Sequence, residues 1–183
     1  MTVKTKAVAA SRMPAHRIDI APLPAAWKKS LPKAAALARK AAVIAIEDGR
    51  VKLPARERKR HGGVLEVSIV PASDAVQRRL NRTYRGQDKA TNVLSFPAGP
   101  EALPLLGDVV IALATLRREA RSENKALAAH FTHLVVHGVL HLLGYDHLRD
   151  KQAAQMEHLE SAIMSRLGYP DPYALPPRTA APR

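Results

Sequence analysis

Apolar residues recur along the chain with two different periods, and the shorter period marks the predicted strands. Polar and apolar residues alternate at 16–21, as expected for a strand with one buried face. Branched apolar residues dominate 64–70, where Pro71 is expected to end the strand, and they recur at 92–96. The segment 106–113 is apolar enough to predict a strand in the middle of a sheet.

Apolar residues at steps of three and four mark the predicted helices. The pattern is helical over 25–47, but Pro32 interrupts it. Because proline suits the first turn of a helix, we expect this helix to begin near Pro32. Ser73 is a favourable N-cap for a second helix that runs to about Tyr84. Three more helices are predicted farther along the chain, at 115–123, 127–143 and 150–167.

The order of these elements is strand, helix, strand, helix, two strands and then helices. Such an order predicts an α+β domain in which a small mixed four-stranded sheet is covered by helices. We expect a single domain over residues 15–173. A basic N-terminal extension at 1–14 and a proline-rich tail at 174–183 are both expected to be disordered.

The net charge of +13 is distributed unevenly along the chain. Residues 1–63 hold 15 Lys and Arg against four acidic side chains, a net charge of +11, which leaves +2 for residues 64–183. An excess of positive charge in one part of a protein favours a polyanionic partner such as nucleic acid. The alternative is a basic, solubilising surface or tail.

The segment 52–63 is a predicted basic loop that ends in two glycines. One interpretation makes this loop a nucleic-acid contact. The other makes it a solvated connection, because runs of like charge are usually flexible. The sequence does not decide between them.

Several classes of protein are disfavoured by what the sequence lacks. No apolar run is long enough for a membrane span, and residues 1–14 have no apolar core of a secretory signal. We therefore expect a cytoplasmic protein. The chain has no cysteine, so a bound metal would need His, Asp or Glu ligands.

Four of the eight histidines fall between positions 133 and 147. His137 and His141 are four residues apart, so they project from the same face of the predicted helix. Gly144 can end that helix in a left-handed conformation and turn the chain, so that His147 completes the site. A single histidine on an apolar face is more often an ordinary core residue. Three at this spacing predict a metal site, with zinc as the favoured ion and a fourth position open to water.

The residue after the first ligand limits the chemistry of this site. The spacing of the three histidines is that of the metzincin peptidases, which place a general-base glutamate directly after the first histidine. Gly138 occupies that position here, so a peptidase lacks its base. His133 lies one turn before His137 and is a candidate for a supporting partner of the ligands rather than a ligand itself.

Two long motifs resemble the YbeY family of bacterial endoribonucleases. One is HGVLHLLGYDH at 137–147, and the other is LNRTYRGQDKATNVLSFP at 80–97. The shorter segments LGD at 106–108 and LGYPDPY at 167–173 agree with the family as well. The resemblance covers roughly residues 64–173. Many members carry Asp where this chain has Asn92, and residues 1–14 and 52–63 look like additions.

The resemblance implies an activity and a set of site residues. It implies a single-strand-specific, zinc-dependent endoribonuclease of ribosomal RNA maturation (processing of the 16S 3′ end) and ribosome quality control. In this chain, His137, His141 and His147 would bind one zinc ion, and Arg85 and His137 would serve catalysis, with Arg85 on an RNA phosphate. The implied partners are ribosomal RNA in the small subunit, and ribosomal proteins or a GTPase assembly factor.

Other functions remain open on the sequence alone. The zinc can be structural in an RNA-binding assembly factor that does not cut, and a metallopeptidase is disfavoured only by Gly138. Asp146 and Asp88 are candidates for a general base, and neither is assigned. Aromatic residues make up only 4% of the chain, so RNA recognition is expected to rest on phosphates and shape.

Overall fold

Four strands form one mixed sheet in the order β1-β2-β4-β3. The computed structural model describes residues 15–174. The strands are β1 (Arg17–Ile20), β2 (Glu66–Ala72), β3 (Val93–Pro97) and β4 (Leu105–Ala112). β1, β2 and β4 are parallel to one another, and β3 is an antiparallel edge strand paired with β4. The predicted α+β class with a small mixed four-stranded sheet is confirmed.

Seven α-helices surround this sheet in the described part of the chain. They are α1 (Ala25–Ser30), α2 (Ala34–Gly49), α3 (Ala55–Lys59), α4 (Asp74–Arg85), α5 (Leu113–Ser122), α6 (Leu127–Leu142) and α7 (Asp150–Arg166). None of the helices in 15–174 is long and apolar enough to cross a bilayer. The predicted extension at 1–14 and all but the first residue of the predicted tail at 174–183 lie outside the described residues.

The two faces of the sheet are covered by different helices. Val109 of β4 lies beneath Gly138 of α6, and Ser95 of β3 donates a hydrogen bond of 3.1 Å to the Gly138 carbonyl. Phe96, the next residue of β3, points to the opposite face, where its ring meets Tyr84 of α4 edge-on at 5.1 Å. The sheet is therefore a central layer with α6 on one face and α4 on the other.

The chain between β1 and α2 differs from the prediction. Residues 25–30 form a helix of their own, α1, and α2 begins two residues after Pro32. Trp27 anchors α1, because its buried indole packs edge-on against Phe131 and its Nε1 donates a 2.9 Å hydrogen bond to the carbonyl of Ala72. Proline therefore separates two helices here instead of starting the only one.

Pro71 does not end β2, contrary to the prediction. The strand continues through Pro71 to Ala72, paired with β4. The backbone of Ile69 points toward β1, where its carbonyl accepts from Ala21, so Pro71, two residues on, faces the same side. β1 ends at Ile20, opposite Ile69, and the missing N–H of Pro71 therefore removes no bond of the sheet.

The basic segment that was predicted as a loop contains short helices. A 3-10 turn at Arg50–Lys52, helix α3 and a second 3-10 turn at Arg60–Gly63 follow one another. Pro54 immediately precedes α3, and its fixed φ suits the entry to a helix, while the Arg, Glu and Lys residues of α3 are good helix formers.

Candidate metal centre and its cleft

The three predicted histidine ligands come together in the structure. His137 and His141 project from the last turns of α6, and His147 lies in the segment that follows it. One ring nitrogen from each lies within 4.8 Å of those of the other two. The Nε2 atoms of His137 and His141 are 3.0 Å apart. Two ring nitrogens cannot approach this closely as protonated donors, so the arrangement suits lone pairs that share a cation.

A glycine turn at the end of α6 brings His147 back to the other two histidines. Gly144 has a φ of +91°. Its N–H donates to the carbonyl of His141, and the N–H of Tyr145 donates to the carbonyl of Leu140, each at 3.0 Å. These two bonds are those of a Schellman motif, which reverses the chain at the end of a helix. The predicted role of Gly144 in ending the helix is confirmed.

The far side of the His137 ring is held by a buried carboxylate. Nδ1 of His137 lies 2.8 Å from Oε1 of Glu160 on α7, and Nε2 of His133 lies 2.8 Å from Oε2 of the same residue. The Tyr173 hydroxyl donates to Oε2 as well. Burial of Glu160 acts to raise its pKa, but the hydrogen bonds from the two histidines prevail and lower that pKa to about 2. Glu160 is therefore ionised and accepts the Nδ1 proton of His137.

His141 is oriented through its backbone neighbourhood. Its Nδ1 lies 3.0 Å from the carbonyl oxygen of Tyr145, which only accepts hydrogen bonds. Burial, and then the nearby His137 and His147, lower the pKa of His141 to about 4. The ring is therefore neutral at pH 7, with the proton on Nδ1 and the lone pair on Nε2, as a metal ligand requires.

The donor set fits a divalent transition metal. Imidazole nitrogens suit zinc and its neighbours, and two of the three rings have their other nitrogen held by an acceptor, as is usual around such ions. Three ligands, rather than four, are the number found in catalytic zinc sites. His133 is in contact with Glu160 and stands outside the three-histidine group, as a supporting residue rather than a ligand.

Gly138 is packed against the sheet and does not face the cleft. A Cβ atom at this position would lie 2.4 Å from Cγ1 of Val109 and 3.2 Å from Oγ of Ser95. α6 thus approaches the sheet at a distance that only glycine permits. A glutamate could not be accommodated there without moving the helix, so the backbone itself excludes the peptidase base at this position.

Arg85 and the three histidines line the same cleft. The cleft has a volume of about 720 Å³, and its wall includes Asn92, Ser95 and the turn at Gly144–Tyr145 as well. Arg85 is the last residue of α4, and its side chain is exposed where Gly86, with a φ of +67°, ends the helix. Within the described residues no carboxylate lies within ion-pair distance of its guanidinium.

The two acidic candidates for a general base have different surroundings. Asp88 is held by two hydrogen bonds from Arg78, of 2.8 and 2.6 Å, which lower its pKa, and it is not among the residues lining the cleft. Asp146 does line the cleft, and its Oδ1 accepts a 2.7 Å bond from the backbone N–H of His147. The structure thus removes Asp88 from the site and gives Asp146 a structural role in the turn.

Asn92 is fixed by a second buried carboxylate. Its amide nitrogen donates a 3.0 Å bond to Oε2 of Glu119, and its Oδ1 accepts from the N–H of Val93 at 2.7 Å. Glu119 is also 2.9 Å from Nε2 of the buried His130. The amide of asparagine can donate to Glu119, whereas an ionised aspartate cannot. The asparagine at this position is therefore matched to its neighbour.

Sequence reasoning missed Glu160 and Glu119 as contributors to the site. A signal for Glu160 was present, because it falls four residues after Met156 and three before Ile163, on the apolar side of α7. A carboxylate on the buried face of a helix is uncommon unless it is paired. The sequence did not indicate which side chains would pair with it.

Comparisons with known proteins agree with these features. The sequence model described as endoribonuclease YbeY matches residues 36–168. A protein named endoribonuclease YbeY from Paramagnetospirillum magneticum is 49% identical over 164 residues, which are 85% of this chain and 93% of that protein. One of the same name from Pseudomonas putida is 55% identical over 113 residues, 60% of this chain and 72% of that protein.

A solved structure supports the fold. The solution structure of TM1509 from Thermotoga maritima aligns with a TM-score of 0.52 at 22% identity, covering 86% of this chain and 99% of that one. At this identity the similarity concerns the fold alone.

Proposed function

The chain belongs to the endoribonuclease YbeY family, and we propose that it cleaves single-stranded ribosomal RNA with one zinc ion held by His137, His141 and His147. The observation that carries this proposal is the single cleft that contains both the three histidines and Arg85. A nuclease needs a cation-binding group beside a group that binds phosphate, and the cleft supplies both.

The histidines and their partners hold the ion and keep water access to it. When bound, zinc lowers the pKa of a coordinated water and polarises a phosphoryl oxygen. Glu160 and the Tyr145 carbonyl fix the rings of His137 and His141, so that the Nε2 atoms face the cleft. Three protein ligands leave a coordination position for substrate or water.

Arg85 acts on the phosphate. A guanidinium binds two phosphate oxygens at once and remains charged at every physiological pH. Without a carboxylate partner in the described residues, Arg85 needs no exchange of ion pairs when it binds RNA. Bound in this way, it orients the scissile phosphate and offsets the charge that develops on it.

The biological substrate is the 16S ribosomal RNA near its 3′ end, within the cytoplasmic small subunit. Ribosomal proteins or a GTPase assembly factor are the expected protein partners. The names of the relatives support an RNA substrate, and the positive charge of the chain supports a polyanionic one.

A nuclease assay on 16S ribosomal RNA tests this function. Wild type is compared with His137→Ala and Arg85→Ala at matched zinc content. We expect no cleavage by His137→Ala, and a fall in kcat/KM of at least about 100-fold for Arg85→Ala with zinc still bound. Arg79→Ala removes an exposed arginine of the same helix that does not line the cleft, and it should cleave normally.

Two outcomes would overturn the proposal. Equal cleavage by all four proteins would identify a contaminating nuclease. Tight zinc and RNA binding with no cleavage by pure wild type would leave an RNA-binding assembly factor, and digestion of casein would leave a peptidase.

A further inference from the structure

The six cations of residues 50–60, here called the basic segment, form a charged surface that the proposed reaction does not use. Its members are Arg50, Lys52, Arg56, Arg58, Lys59 and Arg60, and Glu57 is its only acidic residue. Four of the six are exposed, and Arg50 and Arg58 are partly buried. The segment is folded as helix α3 between two 3-10 turns, so its charges are held on an ordered backbone.

These cations are not neutralised by the rest of the protein. In 15–174, no carboxylate lies within ion-pair distance of any of the six. Arginines elsewhere in the same range do have such partners, as Arg17 has Glu66 and Arg78 has Asp88. Neighbouring unpaired cations repel one another, and an external polyanion relieves that repulsion.

The start of the basic segment is attached to the metal-binding turn. Gly49, which precedes it, packs so tightly on α6 that a Cβ there would lie 2.7 Å from Cδ2 of Leu140. The Nζ of Lys52 lies 5.5 Å from the centre of the Tyr145 ring, and its Cγ lies beside Gly144. Since Gly144 and Tyr145 line the cleft, the segment begins at the edge of the cleft.

We propose that the basic segment binds the phosphate backbone of an RNA strand that extends beyond the cleft. This inference rests on the proposed function, because it takes the strand in the cleft to be RNA. Lys52 would contact the phosphate nearest to the metal centre, and Arg56, Lys59 and Arg60 those farther along. The interaction is electrostatic, so it contributes affinity for longer RNA without sequence preference.

The composition of the segment favours RNA over a protein partner. Protein interfaces are centred on buried aromatic and apolar anchors, and they are depleted of lysine. The basic segment has no aromatic residue, and Val51, 64% exposed, is its only large exposed apolar side chain. A phosphate backbone needs only the cations.

The test compares two variants that lose the same charge at opposite ends of α2. One is Arg56→Gln with Lys59→Gln and Arg60→Gln, which keeps good helix formers. The matched control is Lys28→Gln with Lys29→Gln and Lys33→Gln, also exposed residues. The control residues precede α2 and the basic segment follows it, and the 16 residues of α2 separate them by about 24 Å.

Binding is measured by fluorescence anisotropy against a single-stranded DNA of about 30 nucleotides, which carries the charge of RNA and is not a ribonuclease substrate, over a range of KCl. Each lost contact with a single strand lowers the salt slope by about 0.7, so the test variant should lose about 2. Between about 200 and 50 mM KCl, wild-type affinity should then rise roughly 20-fold more than that of the test variant. The control should match wild type, and Arg56→Lys with Arg60→Lys should retain the wild-type slope, because charge alone is required.

Cleavage is measured in parallel on RNA of about 6 and about 40 nucleotides. The test variant should have a raised KM on the long RNA and unchanged kinetics on the short one. Equal slopes for wild type and test variant, or an equal loss in the control, would overturn the proposal. Unchanged DNA binding with lost binding to small subunits would instead assign the segment to a protein partner. Failure of the proposed function appears separately, as absence of cleavage of either RNA by wild type.

Discussion

Glu160 of α7 and His137 of α6 are joined by a hydrogen bond of 2.8 Å between Oε1 and Nδ1. The carboxylate is fully buried, and it is shared with His133 and Tyr173. A buried carboxylate is stable only when its oxygens are satisfied, and here both are. Because α7 provides the acceptor and α6 the ligand, the packing of two helices determines which nitrogen of His137 faces the cleft.

Replacing Glu160 by glutamine should weaken zinc binding without removing a ligand. The side chain keeps its size, but the amide cannot supply two anionic acceptors to the two histidines, so the tautomer and orientation of His137 are less fixed. We expect the zinc dissociation constant to rise by about 10- to 100-fold, as measured by competition with a chelator. Glu157→Gln, an exposed change on the same helix, is the control. Unchanged zinc affinity in Glu160→Gln would show that the carboxylate serves folding alone.

Gly138→Ala should destabilise the protein although alanine is the better helix former. Helix propensity favours alanine by about 1 kcal/mol. The added methyl would lie 2.4 Å from Cγ1 of Val109, and overpacking of this kind costs about 1–3 kcal/mol. We expect a net loss in the free energy of unfolding in urea, together with weaker zinc binding as α6 shifts.

A second substitution identifies the cause of that loss. Val109→Ala removes the methyl groups that the new side chain meets. The double variant of Gly138 and Val109 should therefore lose less stability than the sum of the two single changes. Additive losses would mean that the contact with Val109 is not what requires glycine at 138.

The metal centre was the most predictable part of the molecule, because its ligands are close in sequence. Spacing on one helix places His137 beside His141, and a glycine with a left-handed conformation is a local signal for the turn that follows. Gly138 was interpreted as a missing catalytic base. The structure adds the reason for the glycine, which depends on a strand about 30 residues earlier in the chain.

The features that sequence reasoning missed depend on tertiary contacts. The pairing of Glu160 with α6, and that of Asn92 with Glu119, join distant segments. Pro71 remains in β2 only because β1 is short, and α1 forms because Trp27 has a buried partner in Phe131. Local propensity cannot include such partners, so the strand at 64–70 and the helix at 25–47 were predicted with wrong ends.

His16 gives the fold a dependence on pH that is separate from the metal centre. Its Nδ1 accepts a hydrogen bond of 3.2 Å from the N–H of Leu65, which requires the neutral ring. Burial, and then the nearby positive charge of Arg50, lower the pKa of His16 below its ordinary value of 6.5. The folded state therefore resists a proton that the unfolded state accepts.

The sign follows from this difference in pKa. Above pH 6.5 the ring is neutral in both states, and the hydrogen bond to Leu65 stabilises the fold in full. As the pH falls from 6.5 toward the lower folded pKa, the unfolded state takes up the proton first, so stability declines by at most about 1.4 kcal/mol per pH unit. His16→Asn keeps an acceptor and removes the titration. With zinc saturating throughout, urea unfolding at pH 7.5 and 5.5 should show a larger loss in wild type than in His16→Asn, and equal losses would contradict the assignment.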